Sequence, residues 1–163
     1  MELSKKKVLV FGTGKSGIGA AGLLLQKGAS VVLYDGNQEK NADELRVQFA
    51  ADAALEIVLG TLPESVMDTL DLVVMSPGVP CDLPEVLLMK EKGIRIWGEV
   101  ELAYECGKGD VLAVTGTNGK TTTTALTGEI MKKFYKSVFV VGNIGDPYTA
   151  HALETTDESV TVA

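Results

Sequence analysis

The sequence predicts an α/β fold built as two successive parallel-sheet segments. Three observations carry that expectation. Short runs of β-branched and aliphatic residues alternate with segments of helical periodicity along nearly the whole chain. A glycine-rich turn, Gly12-Thr13-Gly14-Lys15-Ser16-Gly17, joins the first apolar run to the first helical segment. A second such turn, Thr115-Gly116-Thr117-Asn118-Gly119-Lys120-Thr121-Thr122, stands in the same position after a fresh apolar run. Between the two patterns lies Cys106-Gly107-Lys108-Gly109-Asp110, polar and glycine-bearing, which reads as a linker. The expected division is therefore a first domain over residues 1–108 and part of a second over residues 109–163.

Each element follows from its own residues. Val8-Leu9-Val10-Phe11 is apolar without alternation, as in a strand buried on both faces. Ile18, Ala21, Leu24 and Leu25 give residues 16–27 a helical face, which Gly28 ends. Val31-Val32-Leu33-Tyr34 is a second strand, closed by Asp35, and residues 39–50 carry Leu45, Val47 and Phe49 as a helix. Residues 55–59 and 71–75 are further strands, and Ser76-Pro77-Gly78-Val79-Pro80 is a turn after the latter. A helix over 83–92, a strand over 94–96 and a helix over 99–105 complete the first pattern. The second predicts a strand at 111–114, a helix at 120–134, a strand at 137–141, a short helix at 148–154 and a strand from Val160.

Composition excludes several functions. The 163 residues are 45% hydrophobic and 23% charged, enough for a packed core. The net charge of −7 disfavours non-specific binding to nucleic acid or to an anionic membrane, so any phosphate must be gripped locally. Cys81 and Cys106 lack metal-ligand spacing and read as reduced thiols of a cytoplasmic protein. The apolar run after Lys5-Lys6-Lys7 is too short for a signal-peptide core or a membrane span.

In the first motif, Gly12 permits a tight turn, Gly14 lets backbone approach a pyrophosphate, and Gly17 lets the helix pack closely on the strand. Asp35 ends the next strand 18 residues after Gly17, placed to accept hydrogen bonds from a ribose or a neighbouring group. That combination indicates a diphosphate-linked nucleotide in a Rossmann-like domain and does not separate NAD from a nucleotide sugar. Gly78, after a later strand, falls at the same sheet edge. In the second motif, backbone N–H groups from Gly116, Thr117, Asn118 and Gly119 wrap a triphosphate. In a P-loop of this kind Lys120 would reach the β/γ-phosphates and the Thr121 hydroxyl would bind Mg²⁺, with Thr122 following in the first turn of the helix. The motif departs from the general GxxxxGK[ST] pattern, because Val114 holds the first glycine position and Gly116 comes two places later.

With both motifs in one chain, the sequence resembles the Mur ligase family of ATP-dependent peptidoglycan-precursor ligases. Thr115 to Thr121 matches that family's displaced-glycine loop throughout. The first motif, Ser76-Pro77-Gly78, Gly98-Glu99-Val100-Glu101-Leu102 and Gly142-Asn143-Ile144-Gly145 resemble its D-glutamate-adding branch. The resemblance implies a UDP-binding domain followed by the start of a P-loop ATPase-type central domain. It implies a ligase that phosphorylates the carboxylate of UDP-N-acetylmuramoyl-L-alanine with ATP and Mg²⁺, then lets D-glutamate displace phosphate. The protein would serve cell-wall synthesis, and with it cell shape and division, in the cytoplasm and as a monomer when full length. By the same resemblance Gly14, Lys15, Ser16, Asp35, Gly36, Asn37, Gly78 and Asn143 line the UDP-sugar site. Catalysis would rest on Lys120 and Thr121.

Relatives often carry Thr-Arg where this chain has Gly36-Asn37, which removes a cation that Lys15 is expected to replace. The family's later metal ligands and C-terminal domain have no counterpart here, so the chain is expected to be an N-terminal fragment, inactive alone. His151 is expected to be an exposed surface residue, and Glu99 and Glu101 a solvated helix start. Two other classes fit part of the pattern. An NAD(P)-dependent oxidoreductase explains Gly12, Gly14, Gly17 and Asp35 but not Gly119-Lys120-Thr121. A non-catalytic nucleotide-sugar-binding module suits the short length.

Overall fold

Strand β1 (Lys7–Phe11) lies at the middle of a five-stranded parallel sheet whose order is β3-β2-β1-β4-β5. The computed structural model describes residues 2–142 and 146–163. It divides into two compact units, residues 1–99 and 100–163. In the first, β2 (Ser30–Asp35), β3 (Leu55–Leu59), β4 (Leu72–Met75) and β5 (Arg95–Gly98) join β1. Helices α1 (Lys15–Gln26), α2 (Ala42–Arg46), α3 (Glu64–Met67) and α4 (Pro84–Glu91) connect them.

The sequence pattern explains this sheet. Val8, Leu9, Val10, Val31 to Tyr34 and Leu72 to Val74 are all fully buried, as continuous apolar runs covered on both faces must be. Val10 pairs with Leu33 on one side and Val74 on the other, so the connections leave β1 in opposite directions along the sheet. That divergence opens a crevice at the carboxyl edge between β1 and β4, the place where open α/β sheets take ligands.

Two helices of the first unit differ from the sequence expectation by more than a residue or two. Helix α2 spans Ala42–Arg46 in place of 39–50. The Asn41 side chain accepts hydrogen bonds from the Asp43 and Glu44 N–H groups and caps it. The Arg46 guanidinium donates to the carbonyls of Ala51, Ala53 and Leu55, which curls the following segment into β3. Helix α3, which the sequence pattern did not indicate, is a single turn begun at Pro63.

The second unit holds a three-stranded parallel sheet, β6 (Asp110–Leu112), β8 (Ser159–Val162) and β7 (Ser137–Val140) in that order. Its helices are α5 (Glu99–Cys106), which begins at the junction, α6 (Lys120–Met131) and α7 (Tyr148–His151). Strand β8 is buried along its whole length and forms the core with Tyr148 and Ala152. Helix α6 lies close to β7, because a carbon added to Gly128 would overlap Val140. Its other residues include exposed Leu126, Ile130 and, past its end, Phe134, which is 78% exposed.

Three minor expectations need correction. His151 is partly buried, its ring 5.7 Å from that of Phe139, with Glu154 and Asp146 carboxylates at 3.1 and 3.6 Å. Glu99, expected in solvent, is buried, whereas Glu101 is exposed. Helix α7 stops at His151, short of 154.

Trp97, the sole tryptophan, is buried in β5 and so reports on the first unit. Leu9 is fully buried on the central strand. Leu9→Ala is expected to lower the stability followed by Trp97 fluorescence in urea by about 2–5 kcal/mol. An unchanged midpoint and slope would show that β1 is not the centre of this core.

Candidate nucleotide-binding sites

At the carboxyl edge of the first sheet, Gly12 takes a φ of +105° and hands its N–H to the Tyr34 carbonyl at 2.8 Å. A side chain there would collide with Ser76, whose own N–H bonds the Phe11 carbonyl at 3.0 Å. Gly17 is tighter still, since a carbon on it would overlap the Gly12 carbonyl oxygen. The turn after β1 and the turn after β4 are thus locked together. The Ser76 hydroxyl is buried between them without a hydrogen-bond partner among the described residues. Gly14 stands at the N-cap of α1 with no side-chain cap, and nothing lies within 4 Å of the place its side chain would take. The first N–H groups of α1 are therefore left to an incoming anion.

Asp35 ties this loop to the end of β2. Its Oδ2 accepts from the Thr13 N–H at 3.2 Å, the Thr13 hydroxyl at 2.7 Å and the Lys40 ammonium at 2.6 Å, and its Oδ1 from the Asn37 N–H at 3.0 Å. Lys40 also donates to the Thr13 hydroxyl oxygen at 2.6 Å. Partial burial alone would raise the Asp35 pKa, but the hydrogen bonds from Lys40, Thr13 and Asn37 outweigh it and hold the carboxyl at about 2. Beside this network lies a cavity of about 480 Å³ lined by Thr13, Glu39, Lys40, Asn41, Glu44, Leu45 and Gln48.

Gly14, Gly36, Asn37 and Gly78 lie on the loops after β1, β2 and β4 of the first unit, Ser16 lies in the first turn of α1, and Asp35 ends β2. Lys15 is exposed and has no hydrogen-bond or ion-pair partner among the described residues. The cation beside Asp35 is Lys40, which the sequence did not single out. Neither Thr13 nor Ser76 was singled out for its hydroxyl. Asn143 lies outside the described residues.

In the second unit, the loop after β6 is exposed from Thr115 through Thr121. Gly116 and Gly119 take φ of +151° and +78°, conformations that favour glycine. Gly119 is the N-cap of α6, with no side-chain cap and open space beside it. The Lys120 ammonium folds back onto the Gly116 carbonyl at 2.5 Å, so the loop holds its own cation at its centre. The Thr121 hydroxyl sits one residue on. Among the described residues no cluster of three or more His, Cys, Asp or Glu side chains is arranged to hold a metal.

Two parallel-sheet units, each with a glycine loop opening a helix beyond its first strand, define an α/β protein. Residues 6–98 match the Mur ligase MurD-like N-terminal domain and residues 114–163 the Mur ligase middle domain, and the chain belongs to the Mur ligase family. It is 55% identical over 163 residues to the UDP-N-acetylmuramoylalanine–D-glutamate ligase of Lachnoclostridium phytofermentans, covering all of this chain and 36% of that protein. The ligase of the same name from Lachnospira eligens is 50% identical over the same length and share. The chain thus spans 36% of the length of these relatives. Among solved structures, a pseudomurein peptide ligase type C from Methanothermus fervidus has a TM-score of 0.55 at 23% identity, over 97% of this chain and 32% of that one. A murein peptide ligase from Psychrobacter arcticus has the same TM-score at 19% identity, over 96% and 37%. Both share the fold.

The lowered pKa makes a prediction with a definite sign. Because the folded value, about 2, lies below the ordinary 3.8, the Asp35 network contributes stability that is complete above about pH 4 and is lost as pH falls through about 2. A ¹³C titration of the Asp35 carboxyl should give a midpoint near 2. A midpoint at 3.8 or higher would mean the Lys40 and Thr13 contacts do not persist in solution.

Proposed function

We propose that this chain forms the nucleotide-binding part of an ATP-dependent ligase that adds D-glutamate to UDP-N-acetylmuramoyl-L-alanine in peptidoglycan precursor synthesis. One observation carries the reading. The chain holds two glycine loops of different chemistry, one paired with an acid at the end of the next strand, the other ending Gly119-Lys120-Thr121. A nucleotide sugar suits the first, and a nucleoside triphosphate the second.

Residues 1–108 are read as the UDP-sugar domain. The diphosphate would lie against the first turn of α1, with the N–H groups of Lys15 and Ser16 and the backbone of Gly14 and Gly78 around it. Asp35, Gly36 and Asn37 would border the nucleoside. Residues 109–163 are read as the first part of the ATP-binding domain. The open backbone around Gly116 and Gly119 fits a polyphosphate, which has to pass close to main chain there. Gly116, Thr117, Asn118, Gly119 and Thr122 would surround it with N–H donors. Lys120 would exchange its bond to the Gly116 carbonyl for β/γ-phosphate oxygens, and Thr121 would contribute a hydroxyl to a nucleotide-bound Mg²⁺.

The chemistry follows from what a carboxylate lacks. It is a poor electrophile, and transfer of the ATP γ-phosphoryl to it makes an acyl phosphate with a good leaving group. The amine of D-glutamate then attacks the acyl carbon and phosphate departs. Lys120 and the loop N–H groups would offset the charge on the transferring group. The family resemblance implies a cytoplasmic, monomeric setting for the whole enzyme, and no helix among the described residues is long and apolar enough to cross a membrane.

Calorimetry on the chain tests both sites. UDP and Mg·ATP should each bind, and Lys120→Ala should weaken ATP about 10- to 100-fold, the value of a lost charge-assisted bond, with UDP unaffected. Binding of NADH in place of UDP would instead support an oxidoreductase.

A further inference from the structure

We propose that Lys40 is a ligand-contacting, specificity-determining residue of the first site, presenting an N–H donor to an acceptor oxygen of the bound nucleoside. The proposal rests on the nucleotide-sugar reading above and goes beyond it in naming the group that recognises the nucleoside and the chemistry it selects.

In sheets of this topology, the acid at the end of the second strand ordinarily accepts hydrogen bonds from ribose hydroxyls. A carboxylate has room for about four such bonds. Asp35 already takes three on Oδ2, from the Thr13 N–H, the Thr13 hydroxyl and Lys40, and one on Oδ1, from Asn37. Oδ2 is fully taken up in holding the glycine loop to the loop after β2, and only one acceptor position, on Oδ1, remains. The Lys40 ammonium has three protons; one goes to Asp35 Oδ2, one to the Thr13 hydroxyl oxygen, and one remains. Its side chain is 37% exposed and is the one cation among the residues lining the adjoining cavity.

The site at the end of β2 therefore offers a charged donor, Lys40, beside the one acceptor position left on Asp35. Two short bonds fix the ammonium before ligand arrives, so little side-chain entropy is lost on binding. Neutral Gly36 and Asn37 supply no charge here, and Lys15 is unattached, so Lys40 takes that part. A ligand matched to it carries a strong acceptor on the nucleoside, and a pyrimidine carbonyl oxygen is such a group in uridine.

Calorimetry with UDP and with inorganic pyrophosphate, on the chain and on Lys40→Met and Lys40→Arg, tests this. Lys40→Met should weaken UDP about 10- to 100-fold while changing pyrophosphate by less than about twofold. Lys40→Arg, which keeps the charge and donors, should restore UDP binding to within several-fold. Trp97 fluorescence checks that each variant is folded. In the unmodified chain, the ¹⁵N resonance of the Lys40 ammonium should shift with UDP and not with pyrophosphate, a readout independent of any variant. Equal UDP affinity for Lys40→Met, or parallel losses for UDP and pyrophosphate, would overturn the proposal. An unmodified chain that binds no UDP would instead defeat the nucleotide-sugar reading on which it stands.

Discussion

A single missing carbon sets the geometry of the first unit. Gly17 has no room for a side chain, because the Gly12 carbonyl oxygen occupies that space. Helix α1 can therefore approach the end of β1 until its first turn stands over the carboxyl edge of the sheet. Gly12, itself pressed against Ser76, binds the same turn to the end of β4. Three loops converge on that crevice, and Asp35 fastens the third to the first through Thr13. At the strand ends that carry two of these loops, the Phe11 and Tyr34 ring centres lie 4.6 Å apart.

The second unit solves a related problem with different chemistry. Its loop has no acid at the end of the following strand; it places Lys120 at the start of α6, with the ammonium resting on a loop carbonyl. A chain carrying −7 cannot attract phosphates by general basicity. On the proposed function both units would hold phosphate by fixed backbone dipoles, aided in the second by Lys120 at contact distance where screening is weak, while Lys40 would meet the nucleoside. The two lysines differ in their partners. Lys120 holds only a neutral carbonyl that a phosphate can outcompete, whereas Lys40 is anchored by a full charge on Asp35 and keeps its place.

Much of this was legible in the sequence, and the exceptions have physical causes. Strands β1, β2 and β4 were readable because burial on both faces leaves unbroken apolar runs. The glycines announced themselves, since Gly12 and Gly17 serve steric needs that other residues cannot meet. Helix α2 was overextended because Leu45 and Phe49, four residues apart, imitate a helical face, yet Arg46 pulls the chain out of the helix and leaves Val47 80% exposed. His151 looked superficial on a polar segment, and only the fold brings Phe139 beside it. Lys40 was unreadable for another reason. A lysine five residues past an acid is commonplace, and its meaning comes from Thr13, which lies 27 residues earlier and meets it only once β1 and β2 pair.

The central claim is that the crevice where β1, β2 and β4 end is the nucleotide-sugar site. Backbone amide NMR of the chain titrated with UDP tests it directly. The account predicts shifts concentrated at Gly14 to Gly17, Asp35 to Lys40 and Ser76 to Gly78, with residues at the opposite sheet edge, such as Asp71 and Arg95, unmoved. Shifts centred on that opposite edge, or confined to the loop from Thr115 to Thr121, would contradict it.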